Sequence, residues 1–142
     1  MSETVVILLV EDEESHAELV KRNFEKCRIA NQIIHIENGE NALDYLYRRN
    51  SFSDPSESPR PGIILLDPRL PKLGGMEVLK KIKADPNLKQ IPVVILTTST
   101  NETTKSEALA SHAAAFMSKS DLFYTRSDET MEIFCKLMGG EE

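Results

Sequence analysis

The sequence has few of the features that mark membrane, secreted or nucleic-acid-binding proteins. Its longest unbroken apolar run, residues 5–10, is far shorter than the roughly 20 residues that a membrane-spanning helix needs. No basic segment precedes this run as it would in a signal peptide. The 17 basic residues are outnumbered by 23 acidic ones, which disfavours non-specific binding to nucleic acid or anionic membranes. We therefore expect a cytoplasmic protein with neither a nucleic-acid nor a membrane partner.

Cysteine is also scarce. The only two, Cys27 and Cys135, occupy helix-like positions and form neither a CxxC pair nor the spacing of a metal site. Two small reduced thiols in the core are favoured over a disulfide between them, in agreement with a reducing compartment.

Five short apolar runs alternate with segments of helical periodicity. The runs are "TVVILLV" (4–10), "QIIHI" (32–36), "GIILL" (62–66), "PVVIL" (92–96) and "AAAFM" (113–117). The helical segments comprise stripes at 17–27, 42–46 behind an Asn38 N-cap, 78–82 before an "ADP" stop, 101–112, and Met131 to Met138. Five successive βα units predict an α/β fold of the flavodoxin-like (βα)5 kind. We expect a three-layer sandwich around a five-stranded parallel sheet in the order 2-1-3-4-5.

The 142 residues suit a single domain over 1–142, with a core of about 4–138. The segment "SFSDPSESPRPG" (51–62) interrupts the rhythm of strands and helices with four serines and three prolines. This composition predicts an exposed, mobile loop between the second helix and the third strand.

Polar side chains that could carry chemistry follow several of the strands. Because ligands of doubly wound sheets bind at the carboxyl ends of the strands, these residues are the first candidates for a site. They are Glu11, Asp12 and Glu13 after the first strand, Asp67 after the third, Thr97, Thr98 and Ser99 after the fourth, and Ser118 and Lys119 after the fifth.

Carboxylates that crowd together repel each other unless a cation or protons compensate them. Oxygen ligands without histidine or cysteine favour Mg²⁺ with retained waters, and its open positions suit a phosphoryl group. Thr97, a nearby backbone N–H and Lys119 would stabilise the oxygens of that group. A carboxylate of Asp67 in such surroundings is a competent nucleophile for phosphorus.

These residues and their order resemble the response-regulator receiver domain of two-component signalling over nearly the whole chain. Six positions carry the resemblance: the acidic pair Glu11 and Asp12, the phosphoacceptor Asp67, the hydroxyl of Thr97, the aromatic switch Phe116 and Lys119. The "LP" after Asp67 and the helix opening "GGMEVLKKIK" match as well. "LPKLGGMEVLKKIKADPNLKQIPVVILTTS" and the serine-rich loop are most similar to stand-alone response regulators of bacterial and cyanobacterial phytochromes.

The resemblance implies that a sensor histidine kinase, in particular a phytochrome, transfers a phosphoryl group to Asp67. It also implies Mg²⁺ bound by Glu11 (through water), Asp12, Asp67 and the backbone carbonyl of Arg69. Thr97 and Phe116 would then change the surface that an unknown downstream protein recognises. A homodimer through the fourth helix, fifth strand and fifth helix is a further implication. Apart from its own phosphorylation and dephosphorylation, the domain would not be an enzyme.

Two substitutions in the motif leave an alternative open. Pro68 removes a backbone donor directly after Asp67, and Ser120 replaces the proline that often follows the lysine. A pseudo-receiver that binds partners without accepting phosphate is therefore the main alternative. A haloacid-dehalogenase-like phosphatase is disfavoured because Arg69 stands where its second aspartate is expected. An FMN-binding flavodoxin is disfavoured because no phosphate-binding loop follows the first strand.

For several residues a purely structural role is also open. Phe116 could be an ordinary core side chain. His16, His35 and His112 lack ligand spacing, and surface or core positions are expected for them.

Overall fold

The computed structural model describes residues 5–26, 31–98 and 102–119. The predicted fifth helix lies outside these ranges, as do Cys27, Ser99, Ser120 and Cys135. The described helices include none that is both long and apolar enough to cross a membrane.

The described chain forms a five-stranded parallel sheet flanked by α-helices. In chain order the elements are β1 (Ile7–Val10), α1 (Glu14–Lys26), β2 (Ile33–Ile36), α2 (Gly39–Tyr47), a 3₁₀ helix (Asn50–Phe52), β3 (Ile63–Leu66), α3 (Gly75–Ala84), β4 (Val93–Thr97), α4 (Glu102–Ala110) and β5 (Ala115–Ser118). The strand order is β2-β1-β3-β4-β5, with all pairs parallel. This order confirms the predicted flavodoxin-like α/β fold.

The core has two layers because successive side chains of a strand point to opposite faces of the sheet. On one face, Ile7 and Leu9 of β1 belong to a cluster with Val20 and Phe24 of α1. On the other face, Leu8 and Val10 join side chains from α2, α3 and α4. Strands β1, β3 and β4 are buried along their whole length. Their continuous apolar sequences are thus explained by helices on both faces.

Local sequence signals set two of the helix boundaries. The Asn38 side chain accepts a hydrogen bond from the backbone N–H of Asn41 at 2.8 Å, which confirms the predicted N-cap of α2. Helix α3 ends at Ala84, directly before Asp85 and Pro86, because a residue that precedes proline disfavours helical geometry.

The loop at 51–62 is more closely packed than its composition predicts. Residues 53–57 are exposed, but Ser58 is buried. The hydroxyl of Tyr45 donates a hydrogen bond to the carbonyl of Pro59 at 2.6 Å, and the Phe52 ring lies edge-on to the Tyr45 ring. The prediction of exposure is therefore wrong at Ser58 and Pro61, whereas Arg60 between them is exposed as predicted. The Tyr45 side chain of α2 supplies a hydrogen-bond partner for the backbone of this part of the loop.

Helix α4 has the fewest buried residues of the described α-helices. Among its residues only Ala108 is buried, and Leu109, its largest apolar side chain, remains 45% exposed. An ion pair of 3.2 Å between Lys80 of α3 and Glu107 links α4 to its neighbour. Both side chains are exposed, so this pair adds little to the attachment.

Candidate functional site

Strand register brings the first and third strand ends together. Val10 and Leu66 are paired across β1 and β3, so Glu11 and Asp67, the residues that follow them, emerge side by side. The backbone N–H of Asp67 donates to the Val10 carbonyl at 3.1 Å, which continues the pairing to the edge of the sheet. Carboxylate oxygens of Glu11, Asp12 and Asp67 all lie within 4.8 Å of one another. The predicted acidic cluster is thus present in the structure.

Lys119 lies between two of these carboxylates. Its Nζ atom is 2.6 Å from Glu11 Oε1 and 2.6 Å from Asp67 Oδ2. Lys119 is 2% exposed, Glu11 1% and Asp67 8%, whereas Asp12 is exposed. Ion pairs so thoroughly removed from solvent are rigid because neither partner can exchange the other for water at low cost.

Burial and ion pairing act in opposite directions on the acidity of these groups. Burial raises the pKa of Glu11, and the hydrogen bond and charge of Lys119 offset this only in part. For Lys119, burial favours the neutral amine, but hydrogen bonds from the ammonium to Asp67 and Glu11 outweigh burial and raise the pKa. Lys119 therefore stays positively charged through the neutral range.

Both oxygens of the Asp67 carboxylate are held in place. Oδ2 accepts from Lys119, and Oδ1 accepts from the backbone N–H of Arg69 at 2.7 Å. Because Pro68 has no N–H, the amide of Arg69 is the first donor available after Asp67. The departure at Pro68 is thus compatible with a well-oriented carboxylate. The side chain of Arg69 itself is exposed.

The chain returns very close to Asp67 at the start of α3. A Cβ atom on Gly75 would lie only 2.1 Å from the Asp67 carbonyl oxygen and 2.7 Å from Pro68 Cα. The backbone N–H of Gly75 also donates to the Pro68 carbonyl at 3.1 Å. A glycine is therefore required here so that the loop of residues 68–74 can close behind the carboxylate.

We expect Gly75→Ala to lower the free energy of unfolding by about 2 kcal/mol, because the new methyl group meets backbone that cannot rotate away. Gly74→Ala is the matched control, since a Cβ there meets only the Pro68 carbonyl oxygen, at 3.9 Å. The control should lose less than about 1 kcal/mol, the cost of alanine at an N-cap. Urea denaturation of both variants measures these losses of unfolding free energy. Equal losses would show that the close contact at Gly75 does not cause the destabilisation.

Strand β4 brings Thr97 to the same edge of the sheet. It lies between β3 and β5 in the sheet, and Thr97 is paired with Ser118, the residue before Lys119. Thr97 is buried, whereas Thr98 is exposed. Phe116, paired with Ile95, is half-buried and packs against the core beneath α4. Thr97 and Lys119 therefore lie at the ends of neighbouring strands, whereas Phe116 lies within β5.

Two histidines that sequence reasoning assigned to surface or core lie at this site. His16 Nδ1 is 3.1 Å from Lys119 Nζ and 3.8 Å from Glu11 Oε2. His35 Nε2 is 2.7 Å from the Glu11 carbonyl oxygen, to which it donates. The position of His16 in the first turn of α1 (Glu14–Lys26) could have indicated it, because the first turn of a helix that follows a strand lies near that strand's end. His112 is exposed, as expected.

The donor set suits a hard divalent cation. Three carboxylates converge, and the Lys119 ammonium compensates only part of their charge. An additional cation would relieve the remaining repulsion, and oxygen ligands are those that Mg²⁺, Mn²⁺ and Ca²⁺ prefer. Cations of this class fit the residues that are present.

Comparisons with known proteins agree with this architecture. The family model described as response regulator receiver domain matches residues 7–122. Response regulator Rcp1 of Synechocystis sp. is 41% identical over 122 residues, which is 83% of this chain and 81% of that protein. The crystal structure of the Mn²⁺-bound form of Rcp1 superposes with a TM-score of 0.73 at 36% identity, covering 95% of this chain and 90% of that one. The phosphorylated cyanobacterial phytochrome response regulator RcpA gives a TM-score of 0.75 at 31% identity, covering 96% and 91%.

A parallel five-stranded sheet with an acidic cluster and a buried lysine at its carboxyl edge is the arrangement of a signalling receiver. This chain belongs to the response regulator receiver domain family. Its predicted similarity to phytochrome response regulators is confirmed by the match to RcpA. The family consists of two-component signalling domains and not, in general, of enzymes that act on a free substrate, so the phosphatase and flavodoxin alternatives are excluded.

Proposed function

We propose that this chain is a phosphoacceptor response regulator that takes a phosphoryl group from a sensor histidine kinase onto Asp67. The observation that carries the proposal is the geometry of Asp67. Its carboxylate is oriented through both oxygens and lies beside a buried ammonium within a cluster of acids. A positioned nucleophile with a fixed positive charge beside it is what phosphoryl transfer needs from a protein.

In the proposed reaction, a carboxylate oxygen of Asp67 attacks the phosphorus of a phosphohistidine. A new O–P bond forms while the P–N bond breaks, and the departing imidazole keeps the electron pair and takes a proton from solvent. Lys119 compensates negative charge on the phosphoryl oxygens, and the hydroxyl of Thr97 hydrogen-bonds one of them. Hydrolysis of the resulting acyl phosphate returns the domain to its starting state.

We propose Mg²⁺ as the metal, held by Glu11 (through water), Asp12, Asp67 and the carbonyl of Arg69. When bound, Mg²⁺ supplies positive charge that draws the phosphoryl oxygens towards the carboxylates. The Mn²⁺-bound form of the relative Rcp1 supports a divalent cation, and the all-oxygen donor set supports Mg²⁺.

Phosphorylation would be communicated to partner proteins by a change in the surface around α4. We propose that Thr97 and Phe116 change position after phosphorylation and thereby alter the surface of α4 and β5. The shallow packing of α4 and the half-burial of Phe116 support this step. The partners would be a sensor histidine kinase of the phytochrome type, as the likeness to RcpA suggests, and a downstream protein. We also propose that this chain is cytoplasmic. A second copy of this chain, docked through α4, β5 and the fifth helix, is a further proposed partner. We also propose that residues 1–142 form a single domain.

Incubation with acetyl phosphate tests the proposal, since small phosphodonors can replace the kinase when the receiver supplies the chemistry. We expect intact-protein mass spectrometry to show one added phosphoryl group in the presence of Mg²⁺ and none in excess EDTA. Hydroxylamine should remove the group, as expected for an acyl phosphate. An unmodified protein under all conditions would instead support the pseudo-receiver, which keeps the fold and accepts no phosphoryl group.

A further inference from the structure

His16 lies in the first turn of α1 and contacts the proposed site through Lys119. Its Nδ1 atom is 3.1 Å from Lys119 Nζ, and its Nε2 atom is 3.5 Å from Glu13 Oε1. The side chain is 23% exposed, so its ring closes the side of the site that α1 forms.

The geometry defines the chemical form of the imidazole. A lysine ammonium can only donate hydrogen bonds, so Nδ1 must accept with its lone pair. The ring proton is then on Nε2, the nitrogen that faces the Glu13 carboxylate. A ring with its proton on Nε2 suits both neighbours, whereas a proton on Nδ1 would oppose the ammonium.

Lys119 has three N–H groups, and three acceptors surround it. They are Asp67 Oδ2 at 2.6 Å, Glu11 Oε1 at 2.6 Å and His16 Nδ1 at 3.1 Å. Once Asp67 carries a phosphoryl group, the bond to its oxygen must be exchanged for one to the phosphoryl group. The other two bonds do not involve the reacting residue, so they can keep the ammonium at a fixed point during the exchange.

We propose that His16 is a positioning residue, which holds the Lys119 ammonium in place while its third hydrogen bond passes from Asp67 to the phosphoryl group. This inference rests on the proposed function, because it assigns His16 a part in the same reaction. Glu11 supplies the second fixed bond, and its own Oε2 accepts from the backbone N–H of Glu13 at 3.2 Å. An acceptor at the position of Nδ1 is thus the property that the reaction requires of residue 16.

Three substitutions separate the acceptor from the bulk of the ring. In His16→Asn the amide oxygen can occupy the position of Nδ1, in His16→Gln it lies near the position of Nε2, and His16→Leu has no acceptor. We expect His16→Leu to lower the rate of labelling at saturating acetyl phosphate and Mg²⁺ roughly ten-fold, the weight of one hydrogen bond to a charged group. The donor concentration for half-maximal rate should change little. His16→Asn should recover most of the rate, and His16→Gln much less.

Two outcomes of this series would overturn the inference. One is equal rates in all three variants and the wild type. The other is a loss of rate that follows the loss of unfolding free energy rather than the position of the acceptor. Both leave the proposed function intact, since the wild type is labelled in each. A wild type that takes no phosphoryl group would overturn the proposed function and, with it, the role of His16 in the reaction.

A second measurement examines the contact without any phosphorylation. In protein labelled with ¹⁵N-histidine, we expect the Nδ1 of His16 to resonate as an unprotonated nitrogen and Nε2 as a protonated one. Adding beryllofluoride with Mg²⁺, which mimics a phosphoryl group, should leave this pattern in place. A proton on Nδ1 in the free protein would contradict the proposed hydrogen bond from Lys119.

Discussion

Replacing Asp67 by asparagine is expected to abolish phosphoryl incorporation from acetyl phosphate and Mg²⁺. The amide has nearly the same shape as the carboxylate, and its oxygen can still accept the hydrogen bond from the Arg69 N–H. It lacks the negative charge and the nucleophilic oxygen on which an acyl phosphate depends. The fold should therefore persist while the reaction is lost, as judged by intact-protein mass spectrometry alongside circular dichroism.

Asp85→Asn is a closely matched control for this experiment. Asp85 follows α3, and its carboxylate accepts from the backbone N–H of Asn87 at 2.7 Å, the same turn and the same length as at Asp67. It belongs to a different part of the surface and is not a member of the acidic cluster. This variant should be labelled as the wild type is. Undiminished labelling of Asp67→Asn would place the phosphoryl group on another residue and refute the assignment.

Lys119→Met should produce the largest loss of stability among conservative changes at the site. Methionine fills most of the same volume, so the principal loss is the positive charge between Glu11 and Asp67. Two nearly inaccessible carboxylates would then face each other without a cation. Breaking a buried ion pair in this way costs on the order of 3 kcal/mol, a large part of the 5–15 kcal/mol typical of a small domain.

The loss should depend on pH in a defined direction. Burial already raises the pKa of Glu11, and removing the hydrogen bond and charge of Lys119 raises it further. A carboxyl whose pKa is higher in the folded than in the unfolded protein lowers the stability as pH rises. The loss begins near the pKa of the unfolded state, about 4.3, and is complete above the pKa of the folded state. The deficit of Lys119→Met should therefore be full at about pH 8 and shrink towards about pH 5. The raised pKa of Lys119 itself contributes stability at every pH below about 10.

Lys80→Met is the control, because Lys80 also pairs with a carboxylate but does so in solvent. Its expected cost is below about 1 kcal/mol with little pH dependence between these limits. Urea denaturation at about pH 8 and about pH 5 measures the free energy of unfolding of the wild type, Lys119→Met and Lys80→Met. The buffer contains EDTA so that no metal ion replaces the lost charge. Similar losses for the two variants would mean that burial of Lys119 does not determine its contribution.

Much of the fold could be predicted because its sequence signals are local. The runs at 62–66 and 92–96 lack polar alternation because α-helices cover both faces of the central strands. Asp67 and Lys119 could be located for the same reason, since each follows a short apolar run and parallel strands end at one edge of the sheet. The N-cap at Asn38 and the stop at Pro86 likewise depend on neighbours within a few residues.

What sequence could not predict depends on contacts between distant segments. His16 and Lys119 are separated by 103 positions, and no spacing rule connects them. Ser58 and Pro61 of the serine-rich loop are buried, and the hydroxyl of Tyr45 reaches the intervening Pro59 from α2. Composition alone reports the polarity of a segment, and it carries no information on whether another element supplies hydrogen-bond partners.

Because α4 buries only one of its residues, a change in its position requires little free energy. A helix that buries one alanine methyl group retains only about 1 kcal/mol of apolar contact through that residue. If two arrangements of such a helix lie close in free energy, both are populated at equilibrium. Reversing a ratio of 1:99 takes about 5.5 kcal/mol, which corresponds to two or three hydrogen bonds to a charged group. A single added phosphoryl group, with its three acceptor oxygens, is large enough to do this.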